Sequence, residues 1–150
     1  MRFFVDENLD GAAFVVPLRA AGIDLTRHRE RFAQGVVDTE WLPTVAAEGL
    51  IVITADIRIR FRPLEVAAIV DSRARVLLLR KGKGMTHARL AALLIRSQEV
   101  VADFFATCKE PCVAVLASRP SQASRGLAAR PAPWRGSRWR PWGRSFPGAS

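Results

Sequence analysis

Residues 50–54, LIVIT, form an unbroken run of apolar and β-branched side chains. A strand of this composition has no face to offer water, so it must be covered on both sides. Similar short runs recur at residues 2–5, 23–26, 74–79 and 112–116. Between them lie segments with helical spacing of apolar residues. The first covers residues 10–21 and is closed by Gly22; the second covers 38–48, with Asp38 as N-cap and Gly49 as its stop. A short helix is predicted over 63–70. The longest spans 86–105, capped by Thr86, with Leu90, Leu93, Leu94, Val100, Val101 and Phe104 on its apolar side. Pro17 and Pro43 fall inside two of these segments and predict a kink or an irregular start. Strands alternating with helix-length crossovers predict an α/β domain, with a mostly parallel five-stranded sheet covered on both faces.

The 150-residue chain is 49% hydrophobic, enough for one domain with a true core. No apolar run reaches the roughly 18 uncharged residues of a membrane span, and the opening MRFFV runs straight into Asp6 and Glu7. These features lead us to expect a cytoplasmic protein that does not engage the membrane. Cys108 and Cys112 lack a second pair with which to build a zinc site and are expected as reduced, partly buried thiols.

The net charge of +9 is unevenly placed. Residues 1–118 carry 16 Lys and Arg against all 14 acids, whereas residues 119–150 carry seven Arg and no acid. The second segment is rich in Pro, Gly, Ser and Arg and has no period, which predicts a disordered or loosely attached tail beyond a 1–118 domain. It reads either as a solvated extension or as an RNA arm, with Trp134, Trp139 and Trp142 stacking on bases and Arg135, Arg138, Arg140 and Arg144 on phosphates.

Asp6 and Asp56 follow two of the predicted strands, and Asp38 opens a helix. In an open parallel sheet the ligand crevice lies beyond the carboxyl ends of the strands, so these acids are expected to meet there. Converging carboxylates suit a hard divalent cation such as Mg²⁺ or Mn²⁺, with Glu7, Asn8 and Glu40 near enough to assist. Each acid also has a simpler role available: Asp38 as an N-cap, Asp6 as the start of an Asx-turn after its strand, and Asp56 as the cap of the turn after its own. After Asp56, Arg58, Arg60 and Arg62 alternate with Ile57, Ile59 and Phe61, a period of two that predicts an extended segment with three guanidinium groups on one side. With Lys81 and Lys83 of the basic RKGKG loop, they are candidates for holding an RNA backbone.

MRFFVDENL, DTEWLP, VITADIRIRFRP and the K-G-x-G loop together resemble, over residues 1 to about 117, the PIN-like domains of the VapC45 toxin type, related to the DUF5615 and Mut7-C groups. The resemblance implies a three-layer α/β/α PIN-like fold and Mg²⁺- or Mn²⁺-dependent endoribonuclease activity. It also implies a toxin–antitoxin pair in which a small antitoxin protein blocks the site. By the same resemblance Asp6, Asp38 and Asp56 are the catalytic and metal-holding acids, and Thr54 hydrogen-bonds one of them. Asp38 and Glu40 compete for one ligand position. Such nucleases often have a fourth acid, and the slot directly after Asp56 holds Ile57, Arg58 and Ile59 instead. Leu9-Asp10-Gly11-Ala12 also departs from the family's usual helix start.

Two other readings compete. A phosphoacceptor receiver domain would use Asp6, Glu7, Asp56 and a lysine, for which Lys109 is the candidate, although in that fold the lysine follows the fifth strand. A PIN-like module that binds RNA or antitoxin with weak catalysis would account for the missing acid. The sequence leaves the RNA target and the formation of a homodimer open.

Overall fold

The computed structural model describes residues 1–118. The Arg/Trp-rich segment 119–150, with its expected disorder and RNA arm, lies outside them. The strands are β1 (Phe3–Val5), β2 (Leu25–Arg27), β3 (Ile51–Thr54), β4 (Arg75–Arg80) and β5 (Cys112–Ala117). The helices are α1 (Ala12–Ala20), α2 (Asp38–Ala47), α3 (Pro63–Asp71), α4 (His87–Arg96) and α5 (Gln98–Thr107). All strands pair in parallel, in the order β2-β1-β3-β4-β5. The expected α/β/α architecture with a five-stranded sheet is present, and the sheet is wholly parallel. No helix among the described residues is long and apolar enough to cross a membrane.

Strand alternation divides the core into two layers. Phe3, Val5, Ile51, Ile53, Leu77 and Leu79 point to one face and pack with α1, α4 and α5. Phe4, Val52 and Val76 point to the other and pack with Trp41, Leu42 and Val45 of α2 and Ile69 of α3. All four β3 residues are buried, because helices cover the strand on both sides. Fully burying a side chain of this size is worth about 1.5–3 kcal/mol. The connection from β4 to β5 returns α4 to the face that carries α1. It therefore turns with the opposite hand to the other three crossovers, which share one hand.

Three expectations about helices change. The helix predicted over 86–105 is two helices, broken at Ser97, whose N–H donates to Leu94 O. The break resets the helical phase, so Leu90, Leu93, Leu94 and Val101 stay inside while Val100 turns outward. Helices α1 and α2 run through Pro17 and Pro43. The carbonyls that lose helical partners belong to Ala13 and Thr39, both exposed, so water can take up the vacated bonds. Thr86 does cap α4, its hydroxyl accepting from Arg89 N–H. The cysteine expectation also fails. Cys108 and Cys112 are joined as a disulfide, the turn between α5 and β5 bringing their Cα atoms to 6.6 Å.

Asp10 acquires a structural role. Only 1% exposed, it accepts from the Arg27 guanidinium and from Arg29 N–H at 2.9 Å, tying the start of α1 to the end of β2.

Candidate acid crevice at the switch point

Strand β1 sits between β2 and β3, so the chain leaves it toward one edge of the sheet and later continues from β3 toward the other. Helices on opposite faces then part beyond the carboxyl ends of β1 and β3, which opens a crevice there. Asp6 follows β1 directly and Asp56 lies two residues beyond β3. Helices in such a sheet run antiparallel to its strands, so the N-termini of α2 and α3 reach the same edge. Asp38 is the first residue of α2, and Glu65 lies in the first turn of α3.

Asp6 is 6% exposed and held by three donors: Glu7 N–H on Oδ1 at 2.6 Å, and Asn8 Nδ2 and the Thr54 hydroxyl on Oδ2 at 2.6 and 2.7 Å. A carboxylate has about four acceptor sites, so one stays free. The Thr54 oxygen also accepts from Asp56 N–H at 3.1 Å, and Asn8 Oδ1 accepts from Ala55 N–H at 3.1 Å. Two side chains thus clamp the ends of β1 and β3 together. Burial pushes the Asp6 carboxyl above its ordinary range, opposed by the Thr54 and Glu7 hydrogen bonds and by nearby His28, and reinforced by Asp56.

Asp38 does not cap its helix. The N-cap is Val37, and no side chain caps α2. Its half-buried carboxyl is pushed up to about 7, first by burial and then by repulsion from Asp6, Glu65 and Asp56, with Arg62 pulling the other way. Glu40 is exposed, and its side chain makes no hydrogen bond or ion pair among the described residues. Glu7 accepts from Gly35 N–H at 3.1 Å, tying the loop before α2 to the end of β1. Asp56 keeps its simpler role alongside, capping the 3-10 turn that follows it by accepting from Arg58 N–H at 2.9 Å. Asp6 also caps its 3-10 turn, but through the adjacent Glu7 N–H and not the N–H two residues on that an Asx-turn uses.

The extended arginine row is not formed. Residues Ile57–Arg60 are a 3-10 turn, which separates the three guanidinium groups. Ile59 turns fully inward while Arg58 is 74% exposed. Arg60 lies over the Phe61 ring at 4.8 Å, with its charge against that of Arg80. Arg62 turns to the acids: its Nη1 lies 2.7 Å from Glu65 Oε1 and 3.3 Å from Asp56 Oδ2. Lys81 and Lys83 are exposed beyond β4, Lys81 donating to His87 Nε2 at 3.2 Å.

Glu65 escaped the sequence reading, which sought a fourth acid directly after Asp56. Its signal was present: Pro63-Leu64-Glu65 is a helix start following β3, and that start must lie at the carboxyl edge. Glu65 Oε2 is buried and lacks a partner among the described residues. The groups that meet in the crevice offer oxygen donors, the set that hard divalent cations take. No three His, Cys, Asp or Glu side chains among the described residues are closed up to chelating spacing. These residues fit a divalent ion by donor type and by the unpartnered oxygen, with Arg62 interposed.

A wholly parallel three-layer domain with carboxylates at its switch point defines the class. The chain belongs to the PIN-like domain family, whose model matches residues 1–81, from β1 through β4 and the first residue beyond it. No match was found among curated proteins or among solved structures.

Proposed function

We propose that this chain is a Mg²⁺- or Mn²⁺-dependent endoribonuclease of the VapC45 toxin type, paired with a small antitoxin protein that covers the site. The observation that carries this reading is the position of Asp6, Asp56 and Asp38 after β1, after β3 and at the start of α2, at one edge of the parallel sheet of a PIN-like domain. Acids forced together in this way favour a cation between them. A bound divalent ion would supply hydroxide from water and offset charge on the leaving oxygen of a phosphodiester. Asp6, Asp38 and Asp56 would hold it, with Glu65 beside them. Thr54 and Asn8 orient Asp6, and Glu7 steadies the loop that delivers Asp38. Arg60, Lys81 and Lys83 would hold the RNA backbone across the β3 and β4 ends.

The test is Mg²⁺-dependent cleavage of single-stranded RNA that disappears in Asp6→Ala and Asp56→Ala. RNA left intact at stoichiometric protein would sink the reading. Growth arrest on expression, relieved by the product of an adjacent reading frame, would support the toxin role.

One observation favours a second reading, a PIN-like module that binds RNA or antitoxin with weak catalysis: Asp56 is already paired with Arg58 and Arg62. RNA retained without cleavage would select it. The receiver reading loses its lysine, because Lys109 precedes β5 and so belongs to the opposite edge of the sheet from Asp6 and Asp56.

A further inference from the structure

Arg62 was expected on an RNA-facing row, yet its guanidinium lies among the acids. One nitrogen serves both Glu65 Oε1 at 2.7 Å and Asp56 Oδ2 at 3.3 Å. The second Glu65 oxygen is buried and unpartnered among the described residues. A buried acceptor without a donor is costly, so this oxygen is available to a cation that reaches Glu65. A divalent ion taking up both of these carboxylates would have to compete with the guanidinium for them. Arg62 sits at the N-cap position of α3 with its side chain 44% exposed, so it can leave the crevice without opening the core.

Building on the metal-dependent reading, we infer that Arg62 is a built-in counter-ion of the crevice, displaced from Asp56 and Glu65 when a divalent cation binds, whereupon Glu65 becomes a ligand of that cation. The interposed guanidinium accounts for acids that share a crevice without closing to chelating spacing. It neutralises part of their repulsion in the metal-free protein and sets the threshold at which metal enters. Arg58, whose Nε is 3.5 Å from Asp56 Oδ1 but whose side chain is 74% exposed, provides the internal comparison. A solvated guanidinium competes weakly.

The experiment is Mn²⁺ binding to the full chain, followed by electron paramagnetic resonance of the free ion, with circular dichroism to verify folding. Arg62→Gln should tighten Mn²⁺ about two- to fivefold, the scale of a partly exposed ion pair, and Arg58→Gln less than about twofold. Glu65→Gln should weaken binding about tenfold. In ¹⁵N spectra the Arg62 Nε–H signal should move toward that of free arginine as Mg²⁺ is added. If wild type binds Mn²⁺ and Asp56→Asn does not, yet Arg62→Gln leaves affinity unchanged, the counter-ion role is overturned while the metal reading stands. An Arg62 signal indifferent to Mg²⁺ would also overturn it, and unchanged affinity in Glu65→Gln would remove Glu65 as a ligand. Absence of binding in every protein, Arg62→Gln included, would overturn both readings.

Discussion

The Thr54 hydroxyl donates to Asp6 Oδ2 at 2.7 Å while its oxygen accepts Asp56 N–H at 3.1 Å, so one fully buried side chain couples the ends of β1 and β3. Thr54→Val removes both bonds, together with the one that Thr54 Oγ1 accepts from Asn8 Nδ2 at 3.0 Å, without leaving a void. The Asp56 N–H and an Asp6 lone pair lose their partner, at a cost of about 1–3 kcal/mol in urea unfolding. Thr54→Ser keeps the bonds and should retain most of the RNA cleavage that Thr54→Val loses.

Asp38 predicts how the metal-free protein responds to pH. Its folded pKa of about 7 lies above the ordinary 3.8, so the folded chain holds this proton more tightly than the unfolded one. The associated stability is fully present below about pH 4 and is lost as pH rises toward 7. Solvent screening limits the effect to about 1 kcal/mol, because the carboxyl is only half-buried. Thermal melts in chelator should show Asp38→Asn losing less stability than wild type across this window.

Asp10 predicts the opposite sign in a different place. Its hydrogen bonds to Arg29 and Arg27 hold the carboxyl below its usual range despite burial, so the stability it confers is present above about pH 4 and lost as pH falls below that. Asp10→Ala leaves the Arg27 guanidinium without its buried partner and should cost about 3 kcal/mol in denaturant titration. Mn²⁺ affinity measured under native conditions should be unchanged, because this pair ties α1 to β2 and takes no part in the crevice.

His28 is 1% exposed among Phe4, Phe32 and Trp41, and both its ring nitrogens lack partners among the described residues. Replacing unpartnered buried polar atoms with carbon should be stabilising. His28→Phe should raise the unfolding free energy by about 1 kcal/mol. A loss of stability would mean that the imidazole has a buried partner such as a trapped water.

Arg60 lies apart from the acid crevice, stacked on Phe61 and facing the charge of Arg80. Arg60→Ala should weaken RNA binding and lower the salt slope of log K by about 1, as expected for one lost phosphate contact. Fluorescence anisotropy at several salt concentrations measures it, and an unaltered slope would exclude the contact.

The parallel sheet was legible because runs such as residues 50–54 have no polar face and must be buried on both sides. Asp6 and Asp56 were legible for a related reason: a residue just after a strand stays at that strand's end wherever the helices pack. The breaks at Ser97 and over residues 57–60 were not. Local spacing there fits a continuous helix and an extended row, and only packing against the sheet selects the broken forms, in which Ile59 and Val101 are buried and Arg58 and Val100 are not.

By itself, then, the chain determined which segments become strands, that the strands run parallel, and that acids stand at their carboxyl ends, since periodicity and adjacency are local properties. The helix start that carries Glu65 was also written in the chain, but tertiary structure decided that its carboxylate faces those acids and that Arg62 lies between Glu65 and Asp56. Glu65 is 59 positions from Asp6 in the numbering and 27 from Asp38. It meets their charge because helices antiparallel to parallel strands deliver their N-termini to a single edge, and a guanidinium placed there settles among carboxylates that would otherwise repel one another.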